Sequence, residues 1–245
     1  MKVKSILVSQ PRPTTETSPY IDIEKKHKVE IDFMPFIYVQ GADARDVRMQ
    51  KIDFSQFTAI IFTSRNAINH FFRLAEEMRF TVPDSMKYIC QSEAIAFYLQ
   101  RYIVYRKRKI YVGEKEAEDM IPLLKKNSSE KYLLPTSDVV NQDIVDALNK
   151  AGINWTRAIL FRTISSDLKS QIENIHNYDV LIFFSPMGIK SLFENFPDFK
   201  QGKIKIGTFG ASTRQAAEEQ GLQVDIISPT KENPSMTMAL ENFLK

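Results

Sequence analysis

The sequence predicts an α/β protein built on two parallel sheets, and three observations carry that expectation. Short apolar, β-branched runs alternate with helical patterns almost from end to end. Regular alternation of this kind means parallel strands covered by helices on both faces. The strand-like runs number about ten, too many for one doubly wound sheet in 245 residues, so two sheets of about five fit better. Finally, AIIFTSRNAINHFF (59–72) lies without a gap over VLIFFSPMGIKSLF (180–193), pairing Ile61 with Ile182, Phe62 with Phe183, Ser64 with Ser185, Ile68 with Ile189 and Phe72 with Phe193.

Taken in order, the expected strands are SILVS (5–9), VEIDFMPF (29–36), AIIFT (59–63), KYIC (87–90) and KIYV (109–112). They continue with YLLP (132–135), INWTRAILFRT (153–163), VLIFF (180–184), KIGTF (205–209) and QVDIIS (223–228). Between them, apolar residues recur at three- and four-residue spacing, as in Ile144, Leu148 and Ala151, or Ile189, Leu192, Phe193 and Phe196. A second repeated unit, YICQSEAIA (88–96) over TFGASTRQA (208–216), matches Ser92 to Ser212 and Ala96 to Ala216. Its displacement of 120 residues is nearly the 121 of the first pair, which points to internal duplication. The segments FMPFIYVQ (33–40) and RAILFRT (157–163) are strand-like, lack Gly, and suit crossings from one sheet to the other.

Composition narrows the function classes. Hydrophobic content of 43% and charged content of 26% are ordinary for a soluble globular chain. The single cysteine, Cys90, leaves no intrachain disulfide or thiolate-cluster metal site and suits a reducing cytoplasm. The apolar run after the first lysines is too short for a signal peptide, and no stretch reaches the roughly 20 apolar residues of a membrane span. A net charge of +3 is too small to argue for a nucleic-acid partner. The basic cluster RYIVYRKRK (101–109) reads as a solvated edge strand or loop whose charges block edge-to-edge pairing. Eight glycines with no G-x-G-x-x-G or P-loop run speak against dinucleotide or NTP binding, and three scattered histidines, His27, His70 and His176, show no metal-ligand spacing.

What remains is a set of strand–Ser–helix junctions. In open parallel sheets the ligand crevice lies outside the carboxyl ends of the strands. A Ser or Thr there caps the next helix, whose first N–H groups lack intrahelical partners and carry partial positive charge. Such a terminus accepts carboxylate or phosphate without a lysine. The candidates are Ser64, Ser92, Ser137, Ser185 and the pair Ser212/Thr213. As a set on two facing sheets they would suit a large polyanion held mainly by backbone amides. No acid–base pair or nucleophile triad announces itself, so an enzyme built this way works by shape and fixed dipoles.

At IIFTSRNAINHFF and IGTFGASTRQAAEEQGLQVDIISPT, with ILVSQP near the start and AGINWTRAILFRT before the return crossing, the chain resembles the uroporphyrinogen-III synthase family. The resemblance spans essentially the whole chain. It implies two flavodoxin-like α/β domains joined by a two-stranded β connector: 1–35 with 165–245, 42–157, and connector strands at 36–41 and 158–164. It implies a cofactor-free enzyme whose partner is a small-molecule linear tetrapyrrole; beside it, the composition leads to the expectation of a cytoplasmic monomer with no metal, no nucleic acid and no membrane. The substrate, hydroxymethylbilane, closes to uroporphyrinogen III with inversion of ring D and loss of water. Substrate-binding positions carried by the resemblance and the junctions are Gln10, Arg12, Ser64, Arg65, Asn66, Ser92, Ser137, Ser185, Met187, Gly188, Gly210, Ser212 and Thr213.

The departures from the family pattern matter. Phe161 stands where the family commonly has a Tyr proposed to help the hydroxyl leave, so no catalytic residue is assigned. Cys90 and Glu93 stand where Gly and Thr are usual, and Glu93 would occupy its helix dipole internally. Gln10 replaces a usual Arg, with Arg12 near enough to compensate. Phe161 and Glu93 keep open an alternative, a non-catalytic two-domain α/β protein that binds a tetrapyrrole or another polyanion.

Overall fold

The computed structural model describes residues 3–14, 17–106, 108–114 and 116–245; Lys107, inside the basic cluster, lies outside the described residues. The chain divides into two units, Met1–Tyr38 with Ile164–Lys245, and Val39–Thr163. The first unit begins with β1 (Ser5–Val8), α1 (Pro19–His27) and β2 (Glu30–Phe33). Strand β2 stops before the end of its expected run, because Pro35 has no N–H for a ladder.

The chain then passes into the second unit along β3 (Ile37–Gly41), followed by α2 (Ala44–Met49), β4 (Ala59–Phe62), α3 (Arg65–Glu77), β5 (Lys87–Cys90) and α4 (Glu93–Leu99). Next come β6 (Ile110–Val112), α5 (Ile121–Lys126), β7 (Tyr132–Ser137), α6 (Gln142–Lys150) and β8 (Trp155–Ser165). Back in the first unit lie β9 (Val180–Phe183), α7 (Pro186–Asn195), β10 (Lys205–Phe209), α8 (Ala211–Glu219), β11 (Val224–Ser228) and α9 (Met236–Phe243).

Among the described residues the first unit carries a five-stranded sheet, ordered β11-β10-β9-β1-β2, and each pairing in it is parallel. Read from β2, this is the flavodoxin-like order 2-1-3-4-5. The second sheet has six strands, β3-β8-β7-β4-β5-β6, one more than the expected five because the crossing strand β3 pairs with β8 at its edge. Without β3, the order β8-β7-β4-β5-β6 repeats the first sheet position for position, permuted in chain order.

Alternation along the strands sends side chains to both faces. In the first unit Leu7, Leu181, Phe183 and Ile206 pack with Ile189 and Leu192 of α7 and Ala217 of α8. On the other face Ile6, Val8, Val180 and Ile182 meet Ile23 of α1 and Met236, Ala239 and Leu240 of α9. The second unit repeats the plan, with Ile60, Phe62, Tyr88 and Leu133 under α3 and α4, and Ile61, Ile89, Tyr132 and Leu134 against α5 and α6. The basic cluster expected as an edge strand or loop is turn and loop over 101–106, leading into the three-residue edge strand β6.

Ile182 is fully buried on a central strand. Its replacement by Ala is expected to destabilise the first unit by about 2–5 kcal/mol, seen as a lower urea midpoint with an unchanged m-value.

Candidate functional site

Strand order reverses direction between β1 and β9 in the first unit and between β7 and β4 in the second, and in open α/β sheets the ligand crevice opens at such switch points. The repeated Ser64 and Ser185 sit there. Both are extended, with φ/ψ of −154°/159° and −155°/153°. Ser64 Oγ accepts the Ala67 N–H at 3.1 Å, and Ser185 Oγ accepts the Gly188 N–H at 3.1 Å. Each hydroxyl thus takes the third-position amide of its helix, which leaves Arg65 and Asn66 N–H on α3 and Met187 N–H on α7 with no protein acceptor among the described residues. Pro186 occupies the first helical position, where its missing N–H costs nothing. Gly188 is buried beside the buried Ser9, which directly follows β1; a Cβ on it would lie 3.8 Å from Ser9 Oγ.

The other expected caps differ in detail. Helix α8 is capped by Gly210, and Ser212 and Thr213 lie inside its first turn, so they do not act as the caps expected of them. Gly210 has φ 91° and ψ 148°, a region that favours glycine, and brings no side chain to the terminus. The N–H groups of Ala211, Ser212 and Thr213 therefore meet no acceptor among the described residues. Beneath them the Thr208 hydroxyl is buried, again with no partner among the described residues. The register of the repeat slips here, because Ser92 holds the cap position of its helix whereas the matched Ser212 does not.

Ser137 is not a cap either. It ends β7, its hydroxyl donates to the Val139 carbonyl, and α6 is capped instead by Asn141, whose side chain accepts the Asp143 N–H at 2.9 Å. Asn ahead of an amphipathic run was the available signal for that cap. Ser92 is extended at the start of α4 but makes no side-chain cap bond, and Glu93 occupies the first turn of this seven-residue helix. The positive end of α4 is thus already met by a carboxylate.

The cationic side chains at the rims rest on aromatic rings. Arg12 lies 5.2 Å over Phe33 and donates to the Ile31 carbonyl at 3.3 Å, while the neighbouring Gln10 is exposed. Arg65 lies 5.4 Å over Tyr98. Phe161, on β8, is buried and stacks on His70 of α3 with ring centroids 5.0 Å apart. Burial, and then the charge of Arg73, push the His70 imidazolium toward the neutral form, and its buried Nδ1 has no partner among the described residues. Arg157 escaped sequence reasoning. From β8 it donates to Thr136 Oγ1 at 2.9 Å and to the carbonyls of Ser137 and Asp138 at 2.9 and 2.7 Å, which holds the β7–α6 turn. Cys90, buried on β5, has its thiol pushed up to about 12 by desolvation, so it is no nucleophile.

Each unit is therefore an α/β module whose carboxyl-end rim carries helix amides with no acceptor among the described residues. A family model for uroporphyrinogen-III synthase HemD matches residues 20–238, and the chain belongs to that family. The uroporphyrinogen-III synthase of Chlorobaculum parvum is 22% identical, with 99% of this chain and 100% of that protein covered. Among solved structures, uroporphyrinogen-III synthetase from Helicobacter pylori shares the fold with a TM-score of 0.63 at 19% identity, covering 98% of each chain. A mutant uroporphyrinogen III synthase from Thermus thermophilus gives a TM-score of 0.57 at 14% identity, covering 98% of this chain and 97% of that one.

Ser185→Ala removes a side-chain cap and is expected to destabilise the first unit by about 1 kcal/mol. Gly210→Ala has open space for its methyl group but strains the backbone, and is expected to lose about 1–3 kcal/mol. Thermal unfolding of the two variants measures both.

Proposed function

We propose that this protein closes hydroxymethylbilane to uroporphyrinogen III with inversion of ring D, acting as a lyase that releases water. The observation that carries the reading is the family match over residues 20–238. The rim chemistry supports it. The substrate carries eight carboxylates, and the unpaired amides of Asn66, Met187 and Ala211–Thr213 suit them. Ser64 and Ser185 set those amides by fixing the first turns. Arg65 and the Ser212 hydroxyl complete the carboxylate sites on α3 and α8. Gly188 and Gly210, whose own N–H groups go to Ser185 Oγ and the Ser228 carbonyl, keep the termini clear of side chains. The Thr213 side chain is buried beneath its turn, and Gln10 and Arg12 flank the β1 end. Ser92 contributes a hydroxyl at β5, while Ser137, whose hydroxyl is held by the Val139 carbonyl, fixes the turn after β7, and Glu93 directs carboxylates away from α4.

Linear hydroxymethylbilane closes unaided to the unrearranged isomer, so the enzyme must change which transition state lies lowest. In the proposed course the terminal carbon–oxygen bond breaks and the hydroxyl leaves with a proton as water. The azafulvene cation left behind is attacked to give a spiro-pyrrolenine, which rearranges to the inverted macrocycle and releases a proton. Fixed amide dipoles hold the chain ends in one geometry and stabilise the cation, and each 1.4 kcal/mol of preference is about tenfold in rate. Phe161 has no proton to give, so the departing hydroxyl is served by water. The buried single cysteine suits a reducing compartment, and we place the reaction in the cytoplasm, carried out by a monomer. No helix among the described residues is long and apolar enough to cross a membrane.

Freshly generated hydroxymethylbilane incubated with the protein is expected to give isomer III above the no-enzyme blank once products are oxidised and separated. Isomer I alone, at the blank rate, would leave a non-catalytic tetrapyrrole-binding protein. Ser212→Asp is expected to keep or raise thermal stability, because an acid suits a helix first turn, while KM rises by about tenfold through repulsion of a substrate carboxylate. Phe161→Tyr is expected to leave turnover similar or raise it; a large loss would contradict the role assigned to this position.

A further inference from the structure

The basic cluster has no part in the carboxyl-end rims. It borders a pocket of about 350 Å³ in the second unit, set where β5 and β6 begin and thus at the other end of these strands from Ser92. Phe72, Met86 and Tyr88 line it, and Tyr102 closes one side, stacked on Phe72 at 4.6 Å with its hydroxyl donating to Asn69 Oδ1 at 2.8 Å. The Tyr88 hydroxyl has no hydrogen-bond partner among the described residues. Val104, which lines the pocket, is 79% exposed, and the next residue, Tyr105, is 49% exposed. Arg106 reaches only the nearly fully exposed Asp84, at 3.4 Å, while Arg108 and Lys109 have no acidic partner among the described residues.

Edge protection alone would need charge and nothing else. It does not account for a preformed aromatic-lined cavity with the exposed Val104 at its lip. A phosphate backbone would need a longer run of cations and no cavity. Aromatic residues and Arg around a pocket, ringed by polar groups, are the composition of a protein-interface centre, and the uncompensated charge selects an acidic partner.

We propose that this surface docks an acidic segment of another protein, one apolar or aromatic side chain of which fills the pocket while flanking carboxylates meet Arg106, Arg108 and Lys109. The probe is a displayed library of random peptides selected on the full chain, with the Val104→Asp/Arg108→Glu double variant as counter-target. Both positions are exposed, so the variant is expected to fold and to keep wild-type synthase turnover and melting temperature. The expected result is enrichment of peptides with acids flanking an aromatic or branched apolar residue. Their synthetic versions should bind the double variant at least about tenfold more weakly, as should versions with the apolar residue replaced by Ala. Tyr88→Phe, which removes only a hydroxyl with no partner among the described residues, should weaken the same peptides with the charges intact. Overturning results are enrichment that is equal on both targets, peptides indifferent to the apolar residue, or displacement of the peptides by an equal concentration of oligothymidylate, which marks a general polyanion patch.

Discussion

In a parallel sheet every strand ends at one edge, and every helix that follows begins there. The constraint gathers the unpaired first-turn amides of several helices onto a single rim, with their partial positive charge facing out. Much else about this chain depends on it. On the proposed reading, a net charge of only +3 is enough for a polyanion because backbone amides supply the positive potential. Small residues stand at the junctions for the same reason: Ser64 and Ser185 satisfy one amide each and leave others open, and Gly210 leaves a whole first turn uncovered.

Permutation of one plan between the units explains why the repeat is visible in part. Strand β4 and strand β9 hold the same place beside the switch point, and their junctions keep one cap geometry down to a few degrees of φ and ψ. One strand further on, the second unit has α4, short and started by Glu93, where the first has α8, capped by Gly210. One terminus is already compensated and the other open, so the two rims are not chemically equal. In the first unit neither α7 nor α8 carries an acid in its first turn.

Strands and helices were legible because buried parallel strands read as unbroken apolar runs, and cores on both faces force the period of the covering helices. Strand β2 ran short because Pro35 removes a donor, and the second sheet gained β3 because a crossing strand with free ladder groups pairs with its neighbour. Capping was harder to read. A Ser near a helix start is compatible with several positions, and only backbone geometry separates the cap Ser185 from Ser137, which bonds within its own turn, or from Ser212, inside the first helical turn. Contacts between distant positions had no local signal at all. The stacking of His70 on Phe161 and the three bonds from Arg157 to the β7–α6 turn exist only once the sheet is assembled.

The central claim is that the polyanion is held by helix amides. The most direct measurement is the backbone amide spectrum of the isotopically labelled protein titrated with an octacarboxylate tetrapyrrole such as uroporphyrin III. Downfield proton shifts at Asn66, Met187 and Ala211–Thr213, saturating together, are the result expected here. Shifts confined to arginine and lysine side chains, or to the 101–109 cluster at the opposite end of the strands, would contradict it.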